Sequence, residues 1–144
     1  MTALRATVTN EKDAQRLDEA IKKLTRSLDP TLWVDDNHVD AKHGHQVFSN
    51  EKDSVSKLNE ILKDSSSSLS KDTIREYISF MVSADRMLAQ TAVNDAISNS
   101  GDPKDIEKAQ ENIAEGDAFL TAGNTESAIE RYREAWKKAI QALK

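Results

Sequence analysis

The chain has no cysteine among its 144 residues. That absence removes disulfide scaffolds, zinc–cysteine knuckles, iron–sulfur clusters and cysteine nucleophiles together. Glycine and proline are scarce, at four and two, and aromatic residues make up only 5%. A β-sandwich or barrel needs a turn roughly every 8–12 residues, and so little turn chemistry excludes one. No stretch approaches the roughly 20 consecutive apolar residues of a membrane-spanning helix, so no membrane insertion is expected. Basic residues are outnumbered, with 20 Lys+Arg against 25 Asp+Glu and a formal net charge of −5. No local basic patch offsets that charge, and binding to nucleic acid is therefore not expected. Glycine-rich phosphate loops, a G-x-S-x-G elbow and a G-x-G-x-x-G turn are all missing, so neither catalysis nor a cofactor is predicted.

What the sequence holds instead is helical periodicity. After Asn10, apolar residues recur at steps of three and four through Ala14, Leu17, Ile21, Leu24 and Leu28. Pro30 disfavours helical geometry at Asp29, which sets the end of this first helix near Ser27 or Leu28. Phe48, Val55 and Leu62, with Leu58 beside them, mark a second helix that starts either at a cap on Ser49 or Asn50 or at a turn as early as Asp40. Ser65 to Ser68 compete for backbone hydrogen bonds, and residues 65–69 read as a serine-rich connection. Ser70 then caps a third helix, and Leu69 is placed to pack on Ile74. Its stripe continues through Ile78, Met81, Val82, Leu88, Ala92, Val93 and Ile97 with no glycine or proline before Gly101. From Lys71 to Ser98 this helix would be roughly 40 Å long. Asp102 and Pro103 open a fourth helix that ends at Gly123. A fifth starts near Thr125 and carries a wide apolar face from Ala128 to Leu143.

These segments predict an all-α, antiparallel bundle of about five helices, folded as one domain over residues 1–144. Residues 1–9 are expected to be poorly ordered, residues 29–46 form an irregular loop, and strand character is confined to Ala6–Thr9. Met1 to Asn10 lack the basic start and apolar run of a secretory signal.

Three places carry residues capable of chemistry. The loop holds Asp35, Asp36, His38, Asp40, His43 and His45, oxygen and imidazole donors of the kind divalent metals accept. His43 and His45 are two apart, so they could chelate together only from an extended loop. HExxH and ExxH pairs are absent, and an EF-hand alignment over Asp36, His38 and Asp40 puts Ala41 where glycine is needed and Val47 where an acid must close the loop. The alternative to a metal site is a structural loop anchored by Leu32, Trp33 and Val34, and that alternative is preferred, with no metal. Asp85 has Met81, Val82, Leu88 and Ala89 as its helical neighbours, which places a carboxylate on an apolar face. It is either a general acid or metal ligand, or an edge residue paired with Arg86, a lysine or a loop histidine. No second acid stands out beside it, and pairing is preferred. Asp117, among Ile113, Ala114 and Leu120, needs only a helix-to-helix hydrogen bond.

Residues 116–136 read GDAFLTAGNTESAIERYREAW. Gly116 followed by Phe119, a turn glycine at Gly123, and then Ala128, Tyr132 and Ala135 resemble one tetratricopeptide unit, a pair of antiparallel helices. In that pattern the small residues let two backbones approach while the aromatic rings fill the flanking space. No second copy appears at a period near 34, so the hairpin stands alone in the bundle. The resemblance implies packing between helices and contact with another protein. The chain from Asp29 also resembles helical domains attached to larger exported or surface-associated prokaryotic proteins, which implies an exported or cell-surface location. The expected function is a non-catalytic helical interaction or spacer module, one domain of a larger protein, that binds another protein or domain through an exposed apolar strip. The alternative is a divalent-metal-binding domain using residues 35–45, through His38, His43, His45, Asp36 and Asp40.

Overall fold

Four of the five long helices start at a side chain that accepts hydrogen bonds from otherwise unpaired backbone N–H groups. Asn10 accepts from the N–H of Asp13 at 3.0 Å, Ser70 from Thr73 at 3.3 Å, and Asn124 from Ser127 at 3.3 Å. Asp102 accepts from both Lys104 and Asp105, at 2.9 and 3.1 Å. The computed structural model, which describes residues 1–144, accordingly has long helices α2 (Glu11–Ser27), α3 (His45–Lys63), α4 (Lys71–Ser98), α5 (Pro103–Thr121) and α6 (Thr125–Ala142). The single turn α1 (Thr2–Arg5) precedes them. The all-α class and the five long helices follow the apolar periodicity of the sequence.

A core of 27 buried residues draws on every long helix. α4 lies against α3, α5 and α6, while α2 and α3 pack as one neighbouring pair and α5 and α6 as another. The turn between α5 and α6 needs Gly123, whose φ of +81° is in the left-handed region. There the N–H of Asn124 reaches back to the carbonyl of Phe119 at 2.8 Å and closes α5.

The chain between α2 and α3 is more regular than an open loop. Asp29 caps a short 3₁₀ turn, Pro30–Leu32, and strands β1 (Trp33–Asp35) and β2 (His38–Val39) then pair antiparallel, with Trp33 opposite Val39 and Asp35 opposite His38. Within β1 Trp33 alone is half-buried, while Val34 and Asp35 are exposed and the register is irregular between Trp33 and Asp35. Trp33 Nε1 donates to the carbonyl of Ser27 at 2.7 Å, and Leu32 and Val39 enter the core. Strand pairing is thus found at 33–39 rather than at Ala6–Thr9, which follow α1 as a turn and coil.

The later start for the helix over Phe48 to Leu62, at Ser49 or Asn50, is overturned. Asp40 accepts from the N–H groups of Lys42 and His43, at 3.0 and 2.7 Å, and this turn runs directly into α3 at His45. Gly44 permits the passage, since a Cβ there would stand 2.5 Å from both Val39 Cγ2 and the Asp40 carbonyl oxygen. Within residues 1–9, α1 is tied to α2 by Arg5, whose Nε is 2.7 Å from Asp18 Oδ1.

Candidate functional site

The histidines of the α2–α3 connection do not converge. His38 is clamped between two carboxylates, with Nδ1 2.8 Å from Asp35 Oδ1 and Nε2 2.7 Å from Asp95 Oδ2 on α4. Hydrogen bonds donated to Asp35 and then to Asp95 raise its pKa and favour the imidazolium, which clips the hairpin to α4. Both ring nitrogens are occupied, so this imidazole has no lone pair free for a metal. His43 Nδ1 is 3.0 Å from Asp40 Oδ2. His45 stands at the start of α3, and Asp36 is exposed at the hairpin tip. No three His, Asp or Glu side chains come together in a metal-binding geometry.

Asp85 is fully buried, but Arg86 is not its partner. Arg86 turns to α5, where Nε and Nη2 reach the two carboxylate oxygens of Asp117 at 2.8 and 2.9 Å. Tyr132 Oη donates to the same carboxylate at 2.6 Å. Arg86 foremost holds the Asp117 carboxyl below its ordinary range, while burial pushes the Tyr132 hydroxyl up. The helix-to-helix hydrogen bond expected of Asp117 is present.

The partner of Asp85 is a second acid, Glu51 of α3, which is only 6% exposed. Neither oxygen of Asp85 nor Oε2 of Glu51 meets any donor. Two ionised carboxylates have nothing to donate to each other, whereas a proton held by one makes their contact a hydrogen bond. Burial raises the pKa of both; that of Asp85 goes well above the ordinary value, with Glu51 adding to the rise. Glu51 was legible in the sequence. Its neighbours three and four residues away are Val47, Phe48, Ser54 and Val55, the pattern that singles out Asp85 on α4.

Glu51 forms part of the wall of a cleft of about 130 Å³ between the hairpin and α4, where Trp33 and Asp36 face Met87 and Leu88. Beside the cleft, α4 exposes apolar side chains. Phe80 is 67% and Met87 65% exposed, Ala84 lies between them, and Tyr77 is half-buried one turn earlier. Positions 77, 80, 84 and 87 follow steps of three, four and three, a second helical stripe distinct from the one that faces the core. α4 therefore carries apolar residues on two faces and has helical neighbours for one. No protein-family model, characterised protein or solved structure matches the chain.

Proposed function

We propose that this chain is a non-catalytic helical interaction module, one domain of a larger protein, whose outer α4 face docks a helix of another protein or domain. The observation that carries this reading is the stripe of Tyr77, Phe80, Ala84 and Met87. Two large apolar side chains seven residues apart stay in water although the core beneath α4 is complete without them. Apolar side chains aligned along one helix face suit a partner helix laid beside them, with i, i+3 and i+4 anchors. The tetratricopeptide-like hairpin supports the same reading, because α5 and α6 both pack against α4. Catalysis has little to work with at this face. Its side chains are apolar, and no three His, Asp or Glu side chains gather into a metal-binding cluster.

A photoreactive phenylalanine analogue at position 80, expressed in the native cell, tests the proposal. It should yield one discrete protein adduct that disappears when Met87→Asp is added, and the same probe at the exposed position 107 should yield none. Equal labelling from positions 80 and 107, or an adduct indifferent to Met87→Asp, contradicts the reading.

A further inference from the structure

A larger cavity opens where the C-terminal half of α3, the N-terminal half of α4 and the α5–α6 turn meet. It measures about 280 Å³, close to the roughly 300 Å³ at which small-molecule pockets begin, and none of its walls belongs to the stripe of Tyr77, Phe80, Ala84 and Met87. Ile78 and Val82, both buried, close its floor, while Leu62 is half-buried and Leu120 is 38% exposed at its sides. A Cβ on Gly123 would meet no atom within 4 Å, so the α5–α6 turn leaves this wall open. Polar groups stand around the apolar surface. Ser79 and Ser83 bring hydroxyls from α4, and the amide nitrogen of Asn59 is held by Thr125 Oγ1 and Glu126 Oε1 at 3.1 and 3.2 Å. Arg75 is the one charged residue in the lining. Its guanidinium is 3.1 Å from Asp72, whose side chain is 96% exposed, and an ion pair so open to water is weak enough to exchange for a ligand. Lys71 adds positive charge at the same end, with Nζ 2.7 Å from the carbonyl oxygen of Leu62.

We propose that this cavity binds a small monocarboxylate with an apolar body, its hydrocarbon on Leu62, Ile78, Val82 and Leu120 and its carboxylate on Arg75 and Ser79. The inference stands apart from the docking reading and uses a different face of α4. Charge sets the sign of the ligand, because a bound cation would face Arg75 and Lys71 with no acid in the lining to offset them. Arg75 and Ser79 are four residues apart and so share one helix face. There a guanidinium can give a carboxylate two parallel N–H donors, and a serine hydroxyl can add a third. Inorganic phosphate would leave the apolar floor unused, and a bare hydrocarbon would leave the guanidinium and hydroxyls without a partner. The volume limits the apolar body to about one ring or one short branched chain.

The test uses the full chain with isotope-labelled isoleucine, leucine, valine and methionine methyl groups, titrated with hydrocinnamate and isocaproate and with the neutral amide of each. At least one carboxylate should shift the methyl signals of Leu62, Ile78, Val82 and Leu120 saturably, with a Kd on the order of 1 mM or tighter. It should bind at least about fivefold more tightly than its amide, the share of affinity expected of one charge-assisted contact near the surface. Arg75→Gln, a change at an exposed position, should weaken the carboxylate at least about fivefold and leave the amide unchanged. Linear shifts with both carboxylates, equal binding of acid and amide, saturable shifts confined to Met87 or other methyl groups outside the cavity, or parent-like binding of the carboxylate by a folded Arg75→Gln overturn the assignment. If that variant does not fold, the comparison of acid with amide decides alone.

Discussion

Gly116 of α5 lies directly against the ring of Tyr132 on α6. A Cβ at position 116 would stand 2.5 Å from Cε1 and 2.8 Å from Cδ1 of that ring. Tyr132 cannot retreat, because it is fully buried and its hydroxyl is fixed to Asp117. Gly116→Leu should therefore destabilise the chain by at least about 1–3 kcal/mol through overpacking. Tyr132→Phe, which removes only the hydroxyl, should cost about 1–2 kcal/mol. Glu107→Ala is the matched silent change, expected within about 0.5 kcal/mol. Glu130 is unsuitable as that control, since it bonds Lys52 of α3 and Arg133. Urea unfolding of the three variants checks the order.

The acid pair makes a pH prediction of definite sign. A carboxyl whose folded pKa is raised stabilises the fold fully below its unfolded value, near 3.8 for Asp85, and that contribution is lost as pH rises towards the folded value. Asp85→Asn cannot ionise and offers Glu51 an N–H donor, so it should be more stable than the parent at pH 7 by roughly 1–4 kcal/mol and close to it at pH 4. The Arg86–Asp117 pair runs the other way. The depressed pKa of Asp117 gives stability above its unfolded value that is lost as pH falls. Thermal unfolding of parent, Asp85→Asn and Asp117→Asn between about pH 3 and 8, which spans the ordinary carboxyl range and neutrality, separates the two effects.

The α2–α3 connection should behave as a docked hairpin. Trp33→Ala removes a half-buried ring and its bond to Ser27, and should cost up to about 3–5 kcal/mol, whereas His43→Ala with His45→Ala should change stability only modestly. EDTA and added zinc should leave the melting temperature within error. His38 contributes differently. Its raised pKa gives stability that is complete below the unfolded value near 6.5 and is lost as pH rises through the folded value. Melting temperatures of His38→Ala and parent should accordingly converge above that point. A zinc-dependent rise abolished by the double histidine substitution would return the loop to a metal site.

The long helices were legible because their signals are local. Asn10, Ser70, Asp102 and Gly123 act within one turn of where they stand, and the core stripes repeat at helical spacing. The hairpin was not, because its strands are three and two residues long and are held by Ser27 and Asp95, six and 57 residues away from Trp33 and His38. Asp85 stood out as an acid on an apolar face, while its partner depends on the packing of α3 on α4, which periodicity alone does not supply. The outer stripe of α4 was hidden for a related reason. Phe80 and Met87 lie among core residues of the same helix, and only the placement of α3, α5 and α6 shows which apolar face remains open.

The central claim is that the outer face of α4 is apolar for something outside this fold and is not needed by it. Urea unfolding of the double variant Phe80→Ser and Met87→Ser tests that claim most directly. Both side chains are about two-thirds exposed, so the account predicts a change in unfolding free energy within about 0.5 kcal/mol per substitution and an unchanged dependence on denaturant. A loss of about 3 kcal/mol or more, the scale of truncating buried side chains, would show that the stripe belongs to the core and contradict the account.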